Sequence, residues 1–489
     1  MSKKNIKNSG LNDMPGDDFR KYGHEFIDWI ADYLENIESN PVLSSVKPGD
    51  IINSLPNHPP QDGENIDLIL SDMDRKIMPG ITHWNHPNFM AYFNSTSSGP
   101  GILAELLSAG FNANAMAWHT CPSATELEET MAEWYKKMLN LPKDFWGIIY
   151  DTASTSTMHA VAAAREQLSH LKVREKGMSG QKELQRLSIY SSEQAHLSID
   201  KAAITLGFGL ESVRKIPVDD NYRMNLNALK EAIAKDRKNG WIPCCVVATV
   251  GTTSTTSVDD VDAIGTICRH EKIWLHVDAA YAGTAAILPE MQWIFKGIGN
   301  ADSLVVNPHK WMFTPFDYSF FFTRKPEVLK RAFSVTAEYF DTSKDDVINY
   351  MDYGMQQGRR FRSLKMWFII RYFGVEGIKN RIAEHLRLAN EFADWIDSHS
   401  HFERMAPTPF SVVCFRTHPK NVDDKDELNA LNEKLLDEIN KTGKLFLSGT
   451  TLNGSFVIRI AISSIRITEQ NINNARQLIE QKLNELLEH

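Results

Sequence analysis

Ser303-Leu304-Val305-Val306-Asn307-Pro308-His309-Lys310-Trp311 decides the fold. Its first four residues read as a short buried strand, and Pro308 breaks it. A strand this apolar has both faces covered, as in a mostly parallel sheet. Lys310 follows at the strand's carboxyl end, where open α/β sheets hold their ligands. A free lysine has a pKa of about 10.4, so at neutral pH it is charged and a poor nucleophile. In an apolar cleft it loses its proton and can form an imine with an aldehyde. Taken alone, a lysine after a strand is more often a solvated surface group.

Outward from this stretch the pattern repeats. Residues 148–150, 187–191, 244–250 and 273–277 read as short apolar strands. Between them, Ser123-x-x-Glu126 reads as a capping box that opens a helix to residue 139. Residues 154–169 and 197–206 are helical, and Asn225 caps a helix stopped by Gly240. The alternation predicts an α/β unit, a mostly parallel central sheet with helices on both faces, over 85–375. Residues 376–489 change character. A strand at 410–415, a helix at 427–439, a hairpin at Asn453-Gly454 and a last helix from Glu469 predict a small α+β domain. Residues 1–84 form a third part, with a disordered tail expected over 1–16. Asp17 or Asp18 can cap the helix that follows. There Phe19, Tyr22, Phe26, Trp29, Ile30, Tyr33, Leu34 and Ile37 make one apolar face, and Pro41, Pro48, Pro56, Pro59 and Pro60 mark an extended strap. Such a helix packs on another subunit or on its own main domain.

Composition narrows the function. Of 489 residues, 53 are Lys or Arg and 62 are Asp or Glu, a net charge of −9, which argues against nucleic acid or an anionic membrane as main partner. The basic stretch Gly358-Arg359-Arg360-Phe361-Arg362 breaks that trend, either as a solvated or ion-paired helix start or as a binding surface. Five cysteines in so long a chain do not read as a disulfide framework, and no pair has zinc-ligand spacing. The polar start is no secretory signal, and no run of about 18 apolar residues suggests a membrane span. A reducing, cytoplasmic setting is expected.

Two further motifs carry chemistry. His276-Val277-Asp278-Ala279-Ala280-Tyr281-Ala282-Gly283 puts Asp278 at the end of a buried strand. A carboxylate there needs a partner, and a protonated pyridine nitrogen is one; a structural cap is the other reading. No third ligand stands near His276-x-Asp278, so no metal is expected. Thr152-Ala153-Ser154 lies between a strand and an Ala-rich helix, whose free N–H groups suit a phosphate. Alone, it is equally an ordinary cap.

With these motifs together, the chain resembles the group II pyridoxal-phosphate decarboxylases, most closely the aromatic-L-amino-acid decarboxylases. Met78-Pro79-Gly80-Ile81-Thr82-His83-Trp84 and Gly358-Arg359-Arg360-Phe361-Arg362-Ser363-Leu364-Lys365-Met366-Trp367 add to the match, which covers about residues 14 to 480. The resemblance implies an aspartate-aminotransferase-like (fold-type I) enzyme, a homodimer with sites at the interface, and a residue 1–84 segment that wraps the partner. It implies that Lys310 bears pyridoxal 5'-phosphate and that Asp278 pairs with the pyridine nitrogen. His196, in Ser191-Ser192-Glu193-Gln194-Ala195-His196, then stacks on the ring and Ala280 packs against it. Thr253 lies near the 3-hydroxyl, and Thr152, Ala153, Ser154, Asn307 and His309 hold the phosphate. Tyr339, in a polar 334–350 segment expected to act as a lid, delivers a proton after carbon dioxide leaves. Trp84, Tyr92 and Phe93 form the aromatic pocket on one subunit, Asn114 and Met116 stand at positions that the partner subunit contributes, and Gly358 lies against the substrate ring. Gly358 leaves room for an indole.

Some positions depart from the family. Asp151 stands where a glycine usually precedes the phosphate cradle, Asn94-Ser95 replaces a common Pro-Thr, and Asn114 and Met116 replace bulkier apolar residues. They bear on the exact substrate. The same scaffold also supports aromatic aldehyde synthases, which often replace the loop tyrosine or the stacked histidine. Tyr339 and His196 are both present here, favouring the decarboxylase. A non-catalytic dimeric paralogue is disfavoured by intact Lys310, Asp278 and His196.

Overall fold

Strands β1 (Trp146–Tyr150), β2 (Leu187–Ser192), β3 (Val213–Ile216), β4 (Ile242–Thr249), β5 (Trp274–Asp278), β6 (Ser303–Val306) and β7 (Ser319–Thr323) build the central sheet of the computed structural model, which describes residues 13–181, 184–335 and 347–488. Their order is β1-β7-β6-β5-β4-β2-β3. Pairing is parallel from β6 to β3, while β7 runs antiparallel to both β6 and β1. β2, β5 and β6 are buried at every residue, as strands covered on both faces must be. β7, Ser319-Phe320-Phe321-Phe322-Thr323, was not among the expected strands. The 307–318 segment before it holds one helical turn, Pro308–Trp311, rather than a crossover helix, so β7 returns antiparallel.

Several expectations are corrected. The helix expected from Ser123 begins at Pro122, with Cys121 as a cap that makes no side-chain bond. Glu126 accepts instead from the Trp118 indole N–H at 2.9 Å, so the capping box does not form; proline at the first helical position sets the start. Asp17 and Asp18 lie in the first turn of Gly16–Glu35 behind Pro15, not at its cap. The basic stretch is an ion-paired helix start. Arg359 bonds Glu128 at 2.6 Å and the Ile149 carbonyl at 2.8 Å, and Arg362 bonds Asp317 at 2.7 Å, just before the helix Ser363–Ser398.

That 36-residue helix links the two cores and breaks once, at Gly374 (φ 66°), where a left-handed backbone needs glycine. Beyond it β8 (Phe402–Arg404), β9 (Val412–Thr417), β10 (Ser448–Leu452) and β11 (Ser455–Ala461) form an antiparallel sheet in the order β10-β11-β9-β8. Helices Lys425–Lys441 and Glu469–Leu487 pack on it. Asn453 and Gly454 both have positive φ, the two-residue hairpin expected from their sequence.

At the other end, Gly16–Glu35 buries none of its residues, and Phe19 and Phe26 are exposed. Trp29 donates to Asp74 and Tyr33 meets His83 Nδ1 at 2.8 Å, so only part of the face touches its own chain. The strap is different: Val42 is fully buried, donates to the Gly443 carbonyl and accepts from the His83 N–H. Helix Gly99–Phe111 exposes Leu103, Leu106, Leu107 and Phe111. No described helix is long and apolar enough to cross a membrane. All five cysteines are free thiols.

Candidate active site

The turn Pro308–Trp311 carries Lys310 past the end of β6. Its orientation is fixed from behind by Trp311, which is fully buried, stacks on Tyr281 at 4.9 Å and donates its indole N–H to His385 Nδ1 at 2.9 Å. Phe93 stacks on the other side of the same group, 3.9 Å from Tyr281 with planes 10° apart. Lys310 Nζ lies 5.0 Å from the centre of the Phe93 ring. Burial beside these rings lowers the lysine pKa, and the Asp278 carboxylate opposes the shift. A lysine with a lowered pKa presents more of the neutral amine that attacks carbonyl carbon.

Asp278 closes β5 and is 6% exposed. Its Oδ1 accepts from the Ala280 N–H at 3.1 Å, and among the described residues no cation forms an ion pair with it. Ala280 itself is buried. His196 follows β2 and is partly exposed, and its Nδ1 accepts from the Ser198 N–H at 3.1 Å, leaving the proton of the neutral ring on Nε2. Burial lowers its pKa, Asp278 raises it and Lys310 lowers it, so the three side chains share one electrostatic environment. Buried oxygens of Ser191, Ser192 and Thr249, and His276 Nε2, have no partner among the described residues. Ser192 ends β2 and Thr249 ends β4, so their orphaned hydroxyls lie at the carboxyl edge of the sheet.

The Ala153–Gln167 helix starts beside β1. Thr152 caps it, accepting from the Thr155 N–H. Ala153 and Ser154 occupy its first turn, where N–H groups have no acceptor within the helix. His309 is buried, its Nδ1 accepts from the Tyr318 N–H at 2.9 Å, and burial followed by the Lys310 charge pushes its pKa down to about 3. It is a neutral ring. With Nδ1 accepting, the ring's proton is on Nε2, 3.2 Å from the Asn307 amide; with the amide turned so that its oxygen accepts that proton, its NH2 end is the buried end without a partner among the described residues and can donate to an anion. A free amide end, a neutral imidazole and open helix N–H groups fit a phosphate.

The substrate-pocket candidates fall into two groups. Trp84 stacks on Phe89 at 4.3 Å and lies 6.1 Å from Tyr92, while Phe93 is the one of the three with a described contact to the lysine. Asn114, Met116 and Gly358 form a second cluster. Asn114 accepts from the Arg359 N–H at 3.0 Å and reaches Met116 Sδ at 3.5 Å, and a Cβ at Gly358 would lie 3.9 Å from its amide nitrogen. No described contact within the chain joins the second cluster to Lys310 or Phe93. Thr253 is exposed, and its carbonyl accepts from Arg459 at 2.7 Å. Tyr339 and most of the expected lid lie outside the described residues.

Two residues of this site were not foreseen. Tyr281 is the central ring of the stack. Arg459 crosses from β11 to bond the carbonyls of Thr253 and Ser254 and the Ser448 hydroxyl, 5.7 Å from the Phe93 ring centre. The signal for it was a lone charge inside Val457-Ile458-Arg459-Ile460-Ala461-Ile462, since a buried guanidinium needs partners.

Residues 48–418 match the family model described as the pyridoxal-dependent decarboxylase conserved domain. The chain is 39% identical to phenylacetaldehyde synthase of Arabidopsis thaliana, covering 98% of both chains. It is 38% identical to tryptophan decarboxylase 2 of Oryza sativa subsp. japonica, covering 98% of this chain and 97% of that one. The crystal structure of Oryza sativa TDC with PLP and tryptamine superposes with a TM-score of 0.93 at 33% identity, over 97% of this chain and 99% of that one. The part-buried lysine in the field of Asp278, the open helix start and these matches agree, and the chain belongs to the pyridoxal-dependent decarboxylase family.

Proposed function

We propose that this chain removes the α-carboxylate of an aromatic L-amino acid, giving the amine and carbon dioxide, with Lys310 carrying pyridoxal phosphate. The observation that carries the reading is Lys310 itself, its pKa lowered by burial, beside Phe93 and within the field of Asp278. When bound, the cofactor supplies a conjugated ring that accepts the electron pair left as the carboxylate departs. Asp278 holds the pyridine nitrogen protonated. With the cofactor bound, His196 and Ala280 would hold its ring and Thr253 would stand near its 3-hydroxyl. Thr152, Ala153, Ser154, Asn307 and His309 hold the phosphate. Trp84, Tyr92 and Phe93 orient the substrate's side chain, and Tyr339 delivers a proton to Cα. The uncovered faces of Gly16–Glu35 and Gly99–Phe111 support a homodimer in which the partner presents Asn114, Met116 and Gly358 to the same pocket. Free thiols support a cytoplasmic setting.

Aldehyde synthesis on the same scaffold is the second reading, favoured by the identity to a phenylacetaldehyde synthase. One assay separates the two. The holoenzyme is incubated with a panel of L-amino acids, and carbon dioxide, amine, aldehyde and peroxide are measured. Amine equal to carbon dioxide, from aromatic substrates only, is the expected result. Aldehyde with matching peroxide assigns the synthase, and no carbon dioxide from any aromatic substrate overturns both.

A further inference from the structure

Asp151 places a carboxylate at the mouth of the phosphate cradle. It lies between β1 and the capping residue Thr152 and is half-buried. Its Oδ1 accepts from the Thr152 N–H at 2.5 Å and lies 3.3 Å from the Thr152 hydroxyl. Its Oδ2 accepts from the Gln356 side-chain amide at 3.2 Å. The carboxylate thus turns toward the start of the Ala153–Gln167 helix rather than away from it. It also acts on the cradle's histidine: burial and Lys310 depress the His309 pKa, and Asp151 is the charge that opposes them. The positive end of the helix dipole, which would otherwise serve an incoming anion alone, already has an anion beside it.

The rest of the cradle does little to offset that charge. Asn307 is neutral, His309 is held neutral, and Ala153 and Ser154 offer backbone N–H groups. A phosphate ester arriving here meets a like charge, and like charges in one site disfavour each other's ionised forms. Asp151 also ties the cradle to the segment before Gly358. Gln356 bonds Asp151, the Met355 N–H donates to His159 Nε2 at 3.3 Å, and the Tyr150 hydroxyl donates to the Tyr353 carbonyl. These contacts hold the carboxylate where it is.

We propose that Asp151 is a built-in competitor for the cofactor's phosphate, so that this chain holds pyridoxal phosphate more loosely than its cradle would otherwise allow. The proposal rests on the cleft taking that cofactor. Its consequence is an enzyme whose loaded fraction follows the cofactor concentration around it.

Asp151→Asn tests this, because it keeps the shape, an oxygen to accept from the Thr152 N–H and an NH2 that can donate to the Gln356 amide oxygen once that amide turns, but removes the charge. Apo protein from parent, Asp151→Asn and Asp151→Gly is titrated with pyridoxal phosphate, and separately with pyridoxal, which lacks the phosphate. Kd is read from the visible band and from free cofactor after ultrafiltration. The expected result is a Kd for pyridoxal phosphate on the order of tenfold lower in Asp151→Asn, with pyridoxal unchanged. Asp151→Gly should shift the same way, and thermal melts of the apo proteins identify any variant that fails to fold. Equal or weaker binding of pyridoxal phosphate by a folded Asp151→Asn overturns the proposal, as does a gain of the same size for pyridoxal. If the parent forms no visible band at any concentration, the cofactor reading fails instead.

Discussion

At the residue scale, the site separates groups that act from groups that hold them. Asp278 is buried, bonds only the Ala280 N–H among the described residues, and shares its field with Lys310 and His196. Asp278→Ala is therefore expected to give a soluble protein that loses most of its turnover and binds cofactor more weakly; near-parental turnover would remove Asp278 from the mechanism. Gly358 makes a second test. A Cβ there would lie 3.9 Å from the Asn114 amide, an ordinary contact, so Gly358→Ser should fold. If the cluster lines the pocket, the parent favours tryptophan over tyrosine in kcat/KM, and serine narrows or reverses that ratio by about 1–3 kcal/mol. An unchanged ratio in competition assays would take Gly358 out of the pocket. Lys310, Asp278 and His309 were legible in the sequence because each sits in or beside a motif that ends a strand. Tyr281 and Arg459 were not, because their roles come from contacts across the fold: Arg459 meets Thr253 at a separation of 206 residues.

At the element scale, most strands and several helices of the parallel core could be read from apolar runs and their caps, while β3, β7 and the helices Gly99–Phe111, Val261–Glu271 and Pro326–Phe333 went unmarked. Val213–Ile216 runs apolar-polar-polar-apolar over only four positions, so it shows no two-residue period to mark a strand. Arg359 shows the same limit in charge. Its partner Glu128 lies 231 residues away, so its sequence neighbours left a binding surface and an ion pair equally open. Both side chains are buried, and Glu128 also accepts from the Ile149 N–H at 2.8 Å. Arg359→Met should leave an uncompensated carboxylate against β1 and destabilise the protein by about 3–5 kcal/mol. Adding Glu128→Leu should recover much of that loss. A calorimetric melt of the single and double variants decides it: equal Tm values for parent and Arg359→Met would show that the pair does not support β1.

At the scale of the whole molecule, a single chain shows two separate clusters of pocket candidates and two uncovered apolar faces. The first 84 residues read as a partner-wrapping segment, and the structure divides them: the strap at Val42 lies on its own chain, whereas Phe19 and Phe26 remain exposed. On the proposed two-chain site, Phe26→Glu combined with Leu106→Glu is expected to shift sedimentation from dimer to monomer and to abolish turnover, since Asn114, Met116 and Gly358 would lose their pocket. A monomeric parent with full activity would contradict the two-chain site. The central claim, that Lys310 carries the cofactor, has a direct test. The holoenzyme is reduced with borohydride, digested, and its peptides are mapped by mass. A pyridoxyl group on Lys310 is the expected result; label on any other lysine, or on none, would contradict the account.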